Sequence, residues 1–284
     1  MVTAGVVEFD PQESSTRCRP STGACLTRRA ALGNLASMAQ WVAVLGGAED
    51  EVAEAFRHGG GVPYAAYHRF HEVMAEESQA TTVDGLQDHI LPLVDGLADR
   101  LAAGLDVLDV GCGSGWAMIR LAELFPASRF SGYDICPDAV EAANRRAELV
   151  GVTNARFEVR DVAGLTERRA FDLITAFDAV HDQAKPAQVL AGIRRTLRPG
   201  GVFLMQDIGA STDLSANRDH PLGPFLYTIS CMHCMSVSLA NGGPGLGAVW
   251  GKELALHMLE VAGFGSVRVE TLPHDLLNYY YIAK

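Results

Sequence analysis

The period of the apolar positions changes several times along this chain, and each change predicts an element. Leu32, Leu35, Met38, Val42 and Leu45 recur at helical spacing between Leu26 and Gly46. A second helix is expected from Asp50 to Arg57, ended by Gly59-Gly60-Gly61, and a third from Tyr67 to Glu77. Val83, Leu86, Ile90, Leu93, Leu97 and Leu101 form a longer apolar stripe that Pro92 must kink or divide. Residues 1–26 mix Pro, Ser, Thr and charges without a period and predict a disordered lead-in.

From Val107 onward short buried runs alternate with helical stretches. Strands are expected at Val107–Val110, Arg129–Ile135, Ala155–Asp161, Phe171–Phe177 and, after the turn Leu197-Arg198-Pro199-Gly200-Gly201, at Val202–Met205. The first is followed by a helix over Trp116–Leu124. Pro137 suits the first position of another, whose face carries Val140, Ala143, Ala147 and Val150. A segment rich in Gly, Ser, Met and His runs from Ile208 to Trp250. A helix over Lys252–Ala262 then leads to strands at Val267–Leu272 and Tyr279–Ile282. This alternation predicts an α/β fold with a mostly parallel sheet covered on both faces.

The first strand carries Asp109 and runs into Gly111, Cys112, Gly113, Ser114 and Gly115. Glycines are needed where a backbone turns sharply and leaves room for a ligand, and the following helix aims its N-terminal amides at that ligand. The spacing departs from G-x-G-x-x-G, because the third glycine comes one residue early, and this disfavours a nicotinamide dinucleotide. Asp134, at the tip of the second strand, stands where a ribose diol is commonly held.

Together with Asp161-Val162, the Phe171-Asp172 start of the fourth strand and the Arg198-Pro199-Gly200-Gly201 turn, this loop resembles motif I of the class I S-adenosylmethionine-dependent methyltransferases. The resemblance covers Leu105 to Lys284. It implies a seven-stranded, mostly parallel, doubly wound Rossmann-like sheet with a helical N-terminal extension. The donor would be S-adenosyl-L-methionine, with S-adenosyl-L-homocysteine as product. The cofactor-binding residues it implies are Asp109, Gly111, Cys112, Gly113, Gly115, Asp134, Ile135, Asp161, Val162, Phe177 and Tyr64, with Asp161 facing the adenine amino group. His58–Tyr64, Arg69–Met74, Asp178–Asp182 and Cys231–Met235 further resemble a subfamily with an N-terminal winged-helix domain, shortened here. That implies residues 27–82 as a dimerisation and lid extension, residues 83–284 as the methyltransferase domain, a lid insertion at about 208–250, and a homodimer formed through the extension.

Composition narrows the partners. A formal net charge of −11, with basic residues only in pairs such as Arg28-Arg29, Arg145-Arg146 and Arg194-Arg195, argues against nucleic acid. No apolar run approaches the roughly 20 residues that span a bilayer. The N-terminus lacks the charged start and apolar stretch of a signal peptide. With six scattered cysteines, a cytoplasmic protein with reduced thiols and a small-molecule methyl acceptor is expected.

If the acceptor is a hydroxyl, a group must take its proton. His181, just past the fourth strand, is the candidate base, and His181-Asp182 resembles the His-Asp pair of small-molecule O-methyltransferases. Asp207, Cys231, His233 and Cys234 are candidate substrate contacts, and no closed metal site is expected, because no second Cys/His pair matches the Cys231–Cys234 cluster. Two other readings stay open: a catalytically silent S-adenosylmethionine-binding regulator, and a thiol-assisted methyltransferase for a soft acceptor such as arsenite.

Overall fold

Val107, Leu108 and Val110 are all fully buried, which a strand achieves only when both of its faces are covered. The computed structural model, in which residues 7–19, 23 and 38–284 are described, places this strand inside the sheet, with a parallel neighbour on either side. The described elements are β1 (Val7–Asp10), β2 (Ser15–Cys18), α1 (Gln40–Gly46), α2 (Glu49–His58), α3 (Phe70–Ser78), α4 (Leu97–Ala103), β3 (Asp106–Val110), α5 (Trp116–Leu124), β4 (Arg129–Asp134), α6 (Pro137–Val150), β5 (Ala155–Val159), β6 (Phe171–Phe177), α7 (Pro186–Thr196), β7 (Leu197–Ile208), α8 (Gly223–Ile229), α9 (Met235–Ala240), α10 (Lys252–Val261), β8 (Val267–Leu272) and β9 (Asp275–Ala283). The seven-stranded sheet has the order β5-β4-β3-β6-β7-β9-β8, and only β9 runs against the rest. The expected mostly parallel, doubly wound sheet is therefore present.

Alternation along the strands fills a separate core on each face. Val107, Phe130, Leu173, Leu204 and Tyr280 pack with α4, α5 and α6. Leu108, Ile174, Phe203, Met205 and Tyr281 pack on the other face with α7 and α10. The strand order reverses between β3 and β6, so the carboxyl ends there open a crevice, the usual ligand position of a doubly wound sheet.

Several expectations need correction. Residues 7–18 pair as an antiparallel hairpin, Val7 with Cys18 and Asp10 with Ser15, so this part of the lead-in is ordered. Asp10 Oδ1 accepts the Gln12 and Glu13 amides to close the turn, and Glu8 pairs with Arg17 and Arg19. Short-range polar contacts replace the apolar period that would have announced these strands. The start of the Leu26–Gly46 helix lies outside the described residues; its end is α1, which buries Trp41, Val44 and Leu45. The expectation that Pro92 divides the apolar stripe, by contrast, is met: Leu91–Leu93 forms a single 3₁₀ turn and α4 starts only after Gly96. β7 and β9 are longer than expected because they pair with each other from Phe203↔Ala283 to Ile208↔Asn278.

The N-terminal helices have their own core. Trp41, Val44, Val52, Val62, Tyr67 and Val73 pack against Val237 of α9 and half-buried Phe225, Ile229 and Met232. The segment before the sheet and the segment after β7 therefore meet each other over the crevice.

Candidate active site

β3 ends against a loop whose backbone is set by two close approaches. A Cβ on Gly111 would lie 2.5 Å from the Ala179 Cβ, and its φ is +73°. Gly115 caps α5 with the same φ, and a Cβ there would lie 2.6 Å from the Phe157 ring. Both positions require glycine. Gly113 is left open toward the crevice, and its amide donates to Asp134 Oδ2 at 2.8 Å while Cys136 N donates to Oδ1 at 2.8 Å. Asp134 is thereby fixed by two backbone amides, and each oxygen keeps acceptor capacity for a ligand hydroxyl. Asp109 is buried and accepts the Thr175 hydroxyl at 2.6 Å. Burial raises its carboxyl to about 7 against the lowering effect of that bond, with Asp134 adding to the rise. Asp161 accepts Ala163 N at 2.9 Å and so holds the turn that presents Val162.

Across the crevice, the turn after β6 brings three charged groups together. His181 Nδ1 lies 2.7 Å from Asp207 Oδ1, and His181 Nε2 lies 3.2 Å from Asp182 Oδ1, the latter not aligned as a hydrogen bond. Asp207 Oδ1 also accepts the Trp250 indole at 3.0 Å and Ile208 N at 2.9 Å. Burial by itself lowers the His181 pKa. Asp207 and then Asp182 outweigh it and hold the imidazole well above its ordinary value, so an imidazolium rests between two carboxylates. Asp182 feels burial upward but is held down at about 2, chiefly by His181.

The N-terminal segment reaches this cluster directly. Tyr64 donates its hydroxyl to Asp182 Oδ2 at 3.1 Å, and Tyr67 donates to Met232 O at 2.5 Å. Val62 N donates to Ser236 Oγ at 2.9 Å, beside Gly61, where a Cβ would overlap Ser236 O. His233 stacks on Phe70, with ring centroids 4.0 Å apart, and burial lowers it to about 4, which keeps it neutral. The Cys234 thiol is pushed up to about 12 by burial and then Asp182, so it stays protonated.

One cavity joins these parts. Its walls include Asp109, Gly111, Cys112, Gly113, Asp134, Ile135, Asp161, Val162, Phe177 and Tyr64, together with His181, His233 and Cys234. Three residues singled out from sequence are not in its walls. Gly115 packs inside the helix–sheet junction, Asp207 lies in β7 behind His181, and Cys231 is separated from the cavity that Cys234 lines. Sequence reasoning did not name as site residues Trp250, which holds Asp207, or Thr82, Asp178 and Asn278, which also line the cavity. Asp178 carried one signal, its place between Phe177 and His181, whereas the others come from distant segments. Among the described residues, His181, Asp182 and Cys234 bring possible ligand atoms within 4.8 Å of one another.

Residues 101–263 match the family described as Methyltransferase domain. The chain belongs to that family. Within methyltransferases it is 40% identical over 106 residues to the ribosomal protein L11 methyltransferase of Pseudomonas aeruginosa, covering 37% of this chain and 34% of that one. It is 36% identical over 111 residues to the malonyl-[acyl-carrier protein] O-methyltransferase of Hahella chejuensis, covering 38% of each. These matches span little more than a third of the curated relatives. In fold the chain resembles human N-acetylserotonin methyltransferase in complex with SAM, with a TM-score of 0.66 at 17% identity, over all of this chain and 80% of that one. No helix among the described residues is long and apolar enough to cross a membrane.

Proposed function

We propose that this methyltransferase moves a methyl group from S-adenosylmethionine to a hydroxyl oxygen of a small-molecule acceptor, with His181 taking the acceptor's proton. The carrying observation is that one cavity holds both the glycine loop with its fixed Asp134 and the buried His181 clamped by Asp207 and Asp182. The residues present fit the donor. Gly113 leaves space, Asp134 offers acceptors to a diol, Asp161 and Val162 border the same wall, and Ile135 and Phe177 supply apolar surface.

His181 must be neutral to accept a proton, yet its two carboxylates favour the charged ring. S-adenosylmethionine would supply an electrophilic methyl on a sulfonium, and that charge in the same cavity opposes the imidazolium. Asp207, fixed by Trp250 and Ile208, orients the ring through Nδ1 and leaves Nε2 as the proton-accepting atom. Once the proton has moved, Asp207 and Asp182 stabilise it where it sits. We place the lid in the segment around Tyr64–Met74 and the insertion from 208 to 250, since their shared core roofs the cavity and would exclude water from the transfer.

The test is a screen of phenols, carboxylates, amines and thiols with labelled donor, followed by His181→Ala. Loss of turnover with S-adenosylhomocysteine affinity kept within about threefold fits a proton-accepting role. Undiminished turnover in that variant would refute it.

A further inference from the structure

A second polar cluster borders the same cavity beside the His181 group, and its unmet hydrogen-bonding capacity lies on acceptor atoms. It is built on Gln206, fully buried in β7. Thr82 donates its hydroxyl to Gln206 Oε1 at 2.9 Å, which fixes the amide and turns Nε2 toward Asp178 Oδ2 and Asp275 Oδ2, both at 3.4 Å. Asp275 is saturated, since Tyr280, Asn278 and Leu277 N also donate to it, at 2.7, 2.9 and 3.1 Å. Asn278 spends its amide nitrogen on Asp275, so its Oδ1 is left over.

Within this cluster two buried oxygens therefore have no partner, Asp178 Oδ1 and Asn278 Oδ1, and both residues line the cavity. Asn278 is 5% exposed. Asp178 also adopts a φ of +49°, a conformation that costs a non-glycine residue energy and that the hydrogen bond its backbone N–H donates to Gln206 O, at 3.0 Å, helps to hold. A strained backbone presenting an unpartnered carboxyl oxygen is a feature of binding sites rather than of cores, where such atoms are paired. The register puts this wall next to the base. Asn278 pairs with Ile208, the residue after Asp207.

Resting on the methyl-transfer reading above, we infer that Asp178 and Asn278 form a subsite for a protonated amine carried by the acceptor molecule. An ammonium brings several N–H donors and a positive charge, which matches two acceptor oxygens of which one is a carboxylate. A ligand carboxylate would find no donor at Asn278 Oδ1, which can only accept, and a purely apolar group would leave both oxygens unmet. In the free protein, burial raises the Asp178 carboxyl well above its ordinary value, with Asp207 adding to the rise and His181 opposing it. An arriving cation would favour the ionised form and release the proton.

The test uses three probes that share a phenol ring and differ only in the side arm: tyramine, 4-ethylphenol and 4-hydroxyphenylacetate. Each is titrated calorimetrically into the intact protein saturated with S-adenosylhomocysteine. Tyramine should bind at least roughly tenfold more tightly than 4-ethylphenol, with 4-hydroxyphenylacetate weakest. Asp178→Asn should cut that preference below about threefold while S-adenosylhomocysteine binds as before. The wild-type ranking needs no variant, so a poorly folding Asp178→Asn still leaves a decisive comparison. Equal binding of the three probes, no binding of any, or preference for the carboxylate overturns the inference. So does a loss of S-adenosylhomocysteine affinity in Asp178→Asn, which would assign Asp178 to the donor's own ammonium group. If the wild type fails to bind S-adenosylhomocysteine, the methyl-transfer reading falls, and this inference falls with it.

Discussion

Trp250 and His181 bind the same oxygen of Asp207, the indole at 3.0 Å and the imidazole at 2.7 Å. The indole N–H withdraws acceptor strength from that oxygen and so moderates its hold on the imidazolium. In Trp250→Phe the carboxylate becomes more basic and keeps the His181 proton longer. We expect kcat to fall by roughly tenfold, about 1–2 kcal/mol, with donor affinity little changed. The rising limb of the pH–rate profile should move to higher pH. A limb that stays in place would show that Trp250 serves packing alone.

The pH dependence of the wild type follows from the raised His181 pKa. Activity should increase as pH climbs past the ordinary histidine value of about 6.5, because the base becomes available only as the clamped ring loses its proton. Asp207→Asn removes the stronger of the two carboxylate influences and should shift this limb toward acid. Stability runs the other way. A histidine raised on folding stabilises fully below its unfolded pKa and loses that contribution as pH rises through the folded value. Denaturant titrations should thus show His181→Gln losing most against wild type at about pH 6 and least at about pH 10.

Gly115 separates structure from binding. Its alanine variant places a Cβ 2.6 Å from Phe157 at a φ of +73°, away from the cavity walls. Stability should drop by about 2–4 kcal/mol from backbone strain and overpacking together. Provided the variant folds, S-adenosylhomocysteine affinity should change little. A large affinity loss with unchanged melting would put Gly115 in contact with the donor.

Asp134→Asn keeps the shape of the side chain but turns one of its oxygens into a donor facing either Gly113 N or Cys136 N. Calorimetry with S-adenosylhomocysteine should show weakening of roughly ten- to a hundredfold. Unchanged affinity would remove Asp134 from the binding site.

Most of the sheet and the glycine-loop side of the cavity were legible because their information is local. A strand, a glycine turn and a helix follow one another at Val107–Leu124, and the acids Asp134 and Asp161 sit at strand ends, where topology alone delivers them to one edge. The side around His181 was less legible. Trp250 reaches Asp207 across 43 residues, Thr82 reaches Gln206 across 124, and Tyr64 reaches Asp182 across 118. Nothing in the local pattern around Thr82, Asn278 or Trp250 encodes those meetings. The hairpin at Val7–Cys18 was hidden for a different reason, since it is joined by polar pairs and buries almost nothing.

The roof over the cavity also has a consequence for how the chain assembles. Its hydrogen bonds, Val62 to Ser236 and Tyr67 to Met232, join positions 174 and 165 residues apart. Loops that long close late, after the sheet has brought their ends together, because the entropy of closure is lost before any contact repays it. The place where the acceptor would bind is then the last part of the molecule to become native. A refolding chain should regain its sheet before it can hold an acceptor.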